Sequence, residues 1–249
     1  MKSRWLLRFP PRPRARVRLL CLPGAGAAPA MFRSWSDQLP AEVEVCAVQL
    51  PGRGTRLREA PYTAMAPLAD ALAEAVRAEP WLPTVVFGHS LGSVVGFELA
   101  DRLCGTPGRA PLSLVAAAHR APRLGSAGLP GHLLPAQQLL EGLAGRPGAV
   151  PREVLASPEM LRLALPSIRA DFELDFTYRY QERDPLPIPV SVFGGLSDPG
   201  VTEAELAAWS THTTAGFRLR TLPGDHFFLT GPSGAEMLAE IRADLLQHV

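Results

Sequence analysis

The chain has 249 residues, of which 47% are hydrophobic and 20% charged, and its net charge is +1. This length suits one large domain with a substantial core, and the near-neutral charge excludes the basic footprint typical of nucleic-acid binding. The 3 cysteines lack paired spacing, which argues against disulfides, and we expect Cys21 and Cys46 to be buried in apolar runs. No apolar run reaches the length of a membrane span. We therefore expect one cytoplasmic domain over residues 1–249, monomeric and independent of nucleic acid and membrane.

Strand-like and helical patterns alternate along the chain. The Arg-rich N-terminus lacks the apolar core of a signal peptide and favours a short edge strand followed by a proline-stiffened connector. Apolar, β-rich runs then predict strands at residues 17–22, 43–50, 84–88, 112–118, 188–193 and 217–222. Helical patterns lie at residues 65–79, 93–103, 203–212 and 235–247. This order predicts an α/β fold with a mostly parallel sheet covered on both faces.

One segment departs from this alternation. Residues 125–182 contain no convincing strand but carry helical patterns, including "LPAQQLLEGLA" and "SPEMLRLALPSIRADFELDFTYRY". We expect them to form a helical insertion over the sheet, within the same domain.

The stretch "VVFGHSLGSVVGFELA" places Ser90 in a G-x-S-x-G motif between a strand and a helix. This is the pattern of a nucleophile elbow, in which a tight turn lifts a serine hydroxyl clear of the sheet. The glycines are needed because the turn is strained and the helix passes close to the strand. The alternative is an ordinary Gly-rich turn, but the position of the motif between a strand and a helix favours a catalytic serine.

A serine nucleophile requires a base and an orienting acid. In folds with a nucleophile elbow, the acid and then the histidine follow the serine along the chain. Of the 6 histidines, His226 alone follows the last predicted strand in a short loop, and His89 is expected to pack inside the elbow. Asp198 follows the strand at residues 188–193 and is the predicted acid. Asp225 is its rival by adjacency, although a neighbour in sequence seldom reaches the imidazole in the required geometry.

Hydrolysis through a tetrahedral intermediate also needs two N–H donors. The amide of Leu91, directly after the serine, is the first candidate. The loop "CLPGAGAAP" after the strand at residues 17–22 is expected to supply the second from Ala25, with Gly24 as the neighbouring alternative.

Six motifs in this order are similar to those of the type II thioesterases of polyketide and nonribosomal peptide synthesis, members of the α/β-hydrolase superfamily. They are "LLCLPGAGAAP", "VQLPGRGTR", "VVFGHSLGSVVGFELA", "LPSIRADFELDFTYRY", "VFGGLSDPGVTEAELAAW" and "LPGDHFFL". The resemblance covers nearly the whole chain. One departure is the sequence Gly24-Ala25-Gly26-Ala27, where relatives often have His or Tyr first and Gly last.

This resemblance implies a catalytic triad of Ser90, Asp198 and His226 and an oxyanion hole from Ala25 and Leu91. It also implies that residues 125–182 form a mobile lid with loose selectivity for short acyl groups. The partner would be an acyl carrier protein, whose phosphopantetheine arm holds the stalled or mis-primed acyl group that is removed.

Aromatic side chains near the end of the insertion are candidates for the acyl pocket. Phe172 and Phe176, with Tyr178 beside them, offer apolar surface for its wall, although they could equally hold the lid to the core. The candidate contacts to an acidic carrier are arginines at positions 120, 123, 169, 179 and 183.

Two other functions remain as alternatives. The first is release of a finished product, or hydrolysis of free esters as in a carboxylesterase or lipase. The second is an inactive hydrolase-fold binding protein, against which the complete Ser, Asp and His set argues. No zinc-like Cys/His spacing and no G-x-G-x-x-G after the first strand is present, so we expect no metal and no cofactor.

Overall fold

A computed structural model describes residues 3–126, 130–144, 150 and 152–249. Within these ranges the strands form a 7-stranded sheet in the order β1-β3-β2-β4-β5-β6-β7. Their bounds are Leu6–Arg8 (β1), Val17–Leu22 (β2), Val43–Val48 (β3), Thr84–His89 (β4), Ser113–Ala117 (β5), Val190–Gly195 (β6) and Phe217–Leu222 (β7). Strand β1 runs antiparallel to β3, and the other pairs are parallel.

Helices connect the strands. Their bounds are Arg33–Gln38 (α1), Met65–Arg77 (α2), Leu91–Cys104 (α3), Ala136–Ala144 (α4), Arg152–Leu155 (α5), Pro158–Thr177 (α6), Glu203–Ala207 (α7) and Pro232–Leu246 (α8). The predicted fold class is confirmed, with strand ends shifted by a few residues. Helix α1 was not predicted, because it has only 6 residues and follows a 3₁₀ turn, Pro29–Phe32, that breaks its helical pattern.

Hydrophobic clusters cover both faces of the sheet. Strands β2, β3 and β4 are buried along their whole length, as the continuous apolar runs predicted. On one face, Leu68 of α2 and Phe97 of α3 belong to the core. On the other, Trp35 of α1 and Met237 of α8 do so. Cys21 and Cys46 are buried thiols, one in each cluster.

Helices α4, α5 and α6 lie between β5 and β6, within the predicted insertion. Residues 127–129, 145–149 and 151 of that prediction lie outside the described residues. The remaining part has its own small core, in which Leu139 and Leu143 of α4 cluster with Ile168 of α6. Helix α6 begins at a proline after Ser157, whose hydroxyl accepts the N–H of Met160 at 3.3 Å.

Polar contacts join helix α6 to the edge of the sheet where the parallel strands end. His119, two residues after β5, bonds Asp175 of α6 at 3.0 Å. Burial lowers the pKa of His119, but the hydrogen bond and charge of Asp175 outweigh this, so the pKa is raised. The insertion therefore lies over this edge of the sheet. None of the helices in the described ranges has the combined length and apolar character needed to cross a bilayer.

Candidate active site

Ser90 lies between β4 and α3 in a backbone conformation that residues other than glycine rarely adopt, with φ 53° and ψ −128°. Close packing explains its flanking glycines. A Cβ on Gly88 would lie 2.1 Å from the carbonyl oxygen of Gly92, and one on Gly92 would lie 2.2 Å from that of Leu22. Such strain is typical of a residue whose side chain the surrounding structure holds at a functional position.

The imidazole of His226 contacts the Ser90 hydroxyl. His226 follows β7, and its Nε2 lies 3.0 Å from Ser90 Oγ. Its Nδ1 lies 2.8 Å from Asp198 Oδ2. A carboxylate only accepts hydrogen bonds, so Nδ1 carries the proton and Nε2 is free to accept the proton of Ser90. The three predicted side chains are therefore brought together in the arrangement that general-base activation of a serine requires.

Asp198 lies in the loop after β6, and its side chain is only 2% exposed. Burial alone would raise its pKa, but the hydrogen bond and charge of His226 and the N–H of Gly200 outweigh this and lower it. The Gly200 N–H donates to Oδ1 at 2.8 Å, which leaves Oδ2 for the imidazole. Asp198 is therefore an ionised, oriented acceptor.

The rival carboxylate, that of Asp225, forms its hydrogen bond away from the His226 imidazole. Its Oδ1 accepts the N–H of Phe227 at 2.8 Å, within its own loop. The loop carrying Asp225 and His226 packs closely on β6, since a Cβ on Gly195 would lie 2.2 Å from the Asp225 carbonyl oxygen. This packing brings His226 to Asp198.

His89, inside the elbow, is buried and neutral. Burial and the neighbouring His226 lower its pKa to about 3. Its Nε2–H donates to the backbone carbonyl of His226 at 2.8 Å. Because this bond holds the loop that carries His226, His89 has a positioning contact that the sequence analysis did not foresee.

The two predicted N–H donors lie beside the serine. Leu91 is the first residue of α3, and the N–H groups of a first helical turn have no acceptor within the helix. Ala25 lies in a turn closed by the Ala27 N–H, which donates to the Gly24 carbonyl at 3.1 Å. A Cβ on Gly24 would lie 3.2 Å from Ser90 Cβ, so this turn passes directly beside Ser90.

The two predicted pocket residues occupy different surroundings. Phe172 is half-buried against the core of the insertion, as is Phe227, the residue after the candidate base. Phe176 packs near the His132 ring, with 5.4 Å between centroids. It also lines a surface cavity of about 460 Å³ with Arg123 and Arg179.

The structure adds a second group of side chains next to the turn at residues 24–27. Arg53, in the loop after β3, forms two hydrogen bonds with Asp171 of α6. The sequence analysis gave neither residue a role. Their one sequence signal is that each lies within a family-like motif, "VQLPGRGTR" and "LPSIRADFELDFTYRY".

The sheet, the elbow and the Ser-His-Asp arrangement together define an α/β-hydrolase. A family model, described as a thioesterase domain, matches residues 17–246. The chain belongs to this thioesterase family and is a thioesterase, as the sequence motifs implied.

A curated relative and two solved structures are similar to nearly the whole chain. The chain is 38% identical over 250 residues to a Brevibacillus parabrevis protein named linear gramicidin dehydrogenase LgrE, covering 99% of this chain and 94% of that protein. That name states a different chemistry, whereas the two solved structures that follow are described as thioesterases.

The type II thioesterase BorB, from the borrelidin biosynthetic cluster, superposes with a TM-score of 0.88 at 35% identity, covering 97% of both chains. The RedJ thioesterase, from the prodiginine pathway of Streptomyces coelicolor, superposes with a TM-score of 0.85 at 38% identity. The alignment covers 93% of this chain and 86% of RedJ. The resemblance to type II thioesterases is therefore confirmed.

Proposed function

We propose that this thioesterase hydrolyses short, stalled or mis-primed acyl groups from the phosphopantetheine arm of carrier proteins in polyketide or nonribosomal peptide synthesis. The observation that carries the proposal is the hydrogen-bonded series Ser90, His226, Asp198 at the strand ends, with distances of 3.0 and 2.8 Å. Similarity to BorB and RedJ supports the biosynthetic setting. The reaction needs no metal or cofactor, and we place it in the cytoplasm.

In the first half of the reaction, Ser90 Oγ attacks the thioester carbonyl carbon while His226 Nε2 takes the hydroxyl proton. The resulting oxyanion accepts hydrogen bonds from the N–H groups of Ala25 and Leu91. When the C–S bond breaks, His226 returns the proton to the sulfur, and the carrier leaves as a free thiol. The acyl group is then an ester of Ser90.

In the second half, water attacks the ester carbonyl and gives a proton to His226 Nε2. The C–O bond to Ser90 breaks, Ser90 Oγ recovers the proton, and a free carboxylic acid leaves. Ionised Asp198 stabilises the imidazolium in both halves, and this suits its lowered pKa.

The insertion between β5 and β6 acts in this proposal as the lid of a single domain. A phosphopantetheine arm would pass between the strand ends and the insertion, so that its acyl group meets Phe172 and Phe176 while the carrier stays outside. A mobile lid suits an editing enzyme, because varied acyl groups must enter and leave.

All five candidate carrier contacts have partners within the chain. Arg183 bonds Glu98 and Asp101, Arg120 bonds Glu205, and Arg169 donates to two backbone carbonyls. Arg123 pairs with Glu182, and Arg179 donates to the carbonyls of Phe176 and Tyr178. These two differ from the other three in being exposed, at the cavity that also contains Phe176. We therefore propose that these two arginines contact an acidic carrier protein. We also propose that the thioesterase acts as a monomer.

An acyl panel distinguishes editing from product release. Carrier protein loaded with acetyl, propionyl, medium-chain or complete product acyl groups would be incubated with the enzyme, and the free thiol form followed by intact-protein mass spectrometry. We expect acetyl and propionyl groups to be removed fastest, with rates across the short chains within about tenfold, because one methylene contributes only about 1 kcal/mol. Fast release of the complete product alone, with short groups retained, would favour the product-releasing alternative.

A further inference from the structure

We propose that Asp171 of the lid helix is a positioning residue for the oxyanion hole. It would hold the turn that carries Ala25 in the conformation needed for catalysis. This inference rests on the proposed function, since it assigns a second element to the same site.

Asp171 makes three hydrogen bonds, all to loops at the strand ends. Its Oδ2 accepts the backbone N–H of Gly26 at 2.8 Å. The Arg53 guanidinium donates to Oδ2 at 2.8 Å and to Oδ1 at 2.6 Å. The Asp171 side chain is only 2% exposed and that of Arg53 only 13%. A carboxylate this deeply buried is held by its partners, so its position relative to Gly26 is well defined.

The bonded N–H belongs to the peptide at the centre of the oxyanion turn. The turn spans residues 24–27, closed by the Ala27 N–H and the Gly24 carbonyl, and Gly26 has φ 72°. Rotation of the peptide between Ala25 and Gly26 would turn a carbonyl oxygen toward Asp171, where a carboxylate would repel it. Asp171 therefore selects one orientation of the peptide that follows the donor amide of Ala25.

Arg53 supports this arrangement from a third element. Its loop packs directly on α6, because a Cβ on Gly52 would lie 3.0 Å from the Cβ of Ser167. The guanidinium compensates the buried charge of Asp171 and fixes the carboxylate plane through paired hydrogen bonds. Residues from the loops after β2 and β3 and from helix α6 thus meet at one carboxylate.

The consequence is that the oxyanion turn and the lid helix are coupled. If α6 moves away, the Gly26 N–H loses its acceptor, and the turn beside Ser90 loses its external support. A hydrogen bond that is made only when the lid is in place links lid position to oxyanion stabilisation.

The test compares Asp171→Asn with Asp175→Asn as the matched control. Both carboxylates lie on α6, one helical turn apart, and each anchors the helix to a strand-end loop. Only Asp171 contacts the oxyanion turn, since Asp175 bonds His119. Measurements are kcat and KM for a soluble p-nitrophenyl acyl ester, and inhibition by a trifluoromethyl ketone, which forms an oxyanion on addition of the serine. Circular dichroism verifies folding.

We expect Asp171→Asn to lower kcat by about 10- to 100-fold, less than deletion of a donor outright. KM should stay within about twofold, and the ketone should bind more weakly by the same factor as kcat falls. Asp175→Asn should change each quantity by less than about threefold. A lower folded fraction would reduce kcat without changing the ketone affinity, so this readout separates positioning from stability.

Equal kcat and ketone affinity in the two folded variants would overturn the inference. If Asp171→Asn does not fold, Arg53→Lys takes its place, since it keeps the positive charge but loses the paired hydrogen bonds. It should weaken ketone binding in the same direction, and an unchanged affinity contradicts the proposal. Ser90→Ala serves as the reference, because ester hydrolysis that survives in it refutes the proposed function rather than the role of Asp171.

Discussion

Replacing Ser90 with alanine is expected to lower hydrolysis of an acyl-carrier thioester by about 10⁵- to 10⁶-fold. In the proposed mechanism the variant lacks the atom that attacks the carbonyl, and the proposed oxyanion donors alone would stabilise attack by water only weakly. The hydroxyl lies 3.0 Å from His226 Nε2, so no second nucleophile is needed to explain the site. The rate would be measured by mass spectrometry of the carrier, and covalent labelling by a serine-directed phosphonate would be lost in parallel.

Ser210→Ala is the control for this experiment. Ser210 is an exposed serine away from the elbow, so its replacement should preserve both turnover and labelling. Labelling that persists in a correctly folded Ser90→Ala variant would show that another residue is the nucleophile.

Replacing Asp198 with asparagine is expected to lower kcat by about 10⁴-fold while the fold is retained. The carboxylate accepts a hydrogen bond from the protonated His226 Nδ1 at 2.8 Å, which leaves Nε2 unprotonated toward Ser90. An amide can present an N–H to Nδ1 instead, which favours the tautomer that cannot accept the serine proton. Steady-state kinetics with a soluble ester would measure the loss.

Asp225→Asn is the matched control for the acid. Asp225 neighbours His226 in sequence, but its side chain bonds the Phe227 N–H. The variant should lose less than about tenfold in kcat. A nearly wild-type Asp198→Asn enzyme together with an inactive Asp225→Asn enzyme would reverse the assignment.

The parallel sheet was predictable because its signals are local. Strands buried on both faces read as continuous apolar runs, and the elbow glycines lie directly before a helical pattern. The placement of His226 and Asp198 was also predictable, since each lies in the loop after a predicted strand and parallel strands end at one edge. Their contact distances required the structure.

The support of the oxyanion turn was not predictable from the same signals. Arg53 and Asp171 are 118 residues apart, and Gly26 and Asp171 are 145 apart, so no local pattern joins them. Arginine in a loop and aspartate on a helix usually indicate solvated charges. Only the packing of α6 across the strand ends converts these residues into one buried group. The hydrogen bond of His89 to the His226 carbonyl joins residues that are 137 apart, so no local pattern predicted it either.

Parallel values of kcat/KM for acetyl-carrier protein and for a soluble ester or thioester of the same acyl group test the central claim most directly. We expect the carrier-bound substrate to be hydrolysed faster, by about 100-fold in kcat/KM, because contacts with the carrier and its phosphopantetheine arm can lower the barrier at the reacting carbon. Equal or faster hydrolysis of the soluble ester would contradict the editing role and favour a carboxylesterase.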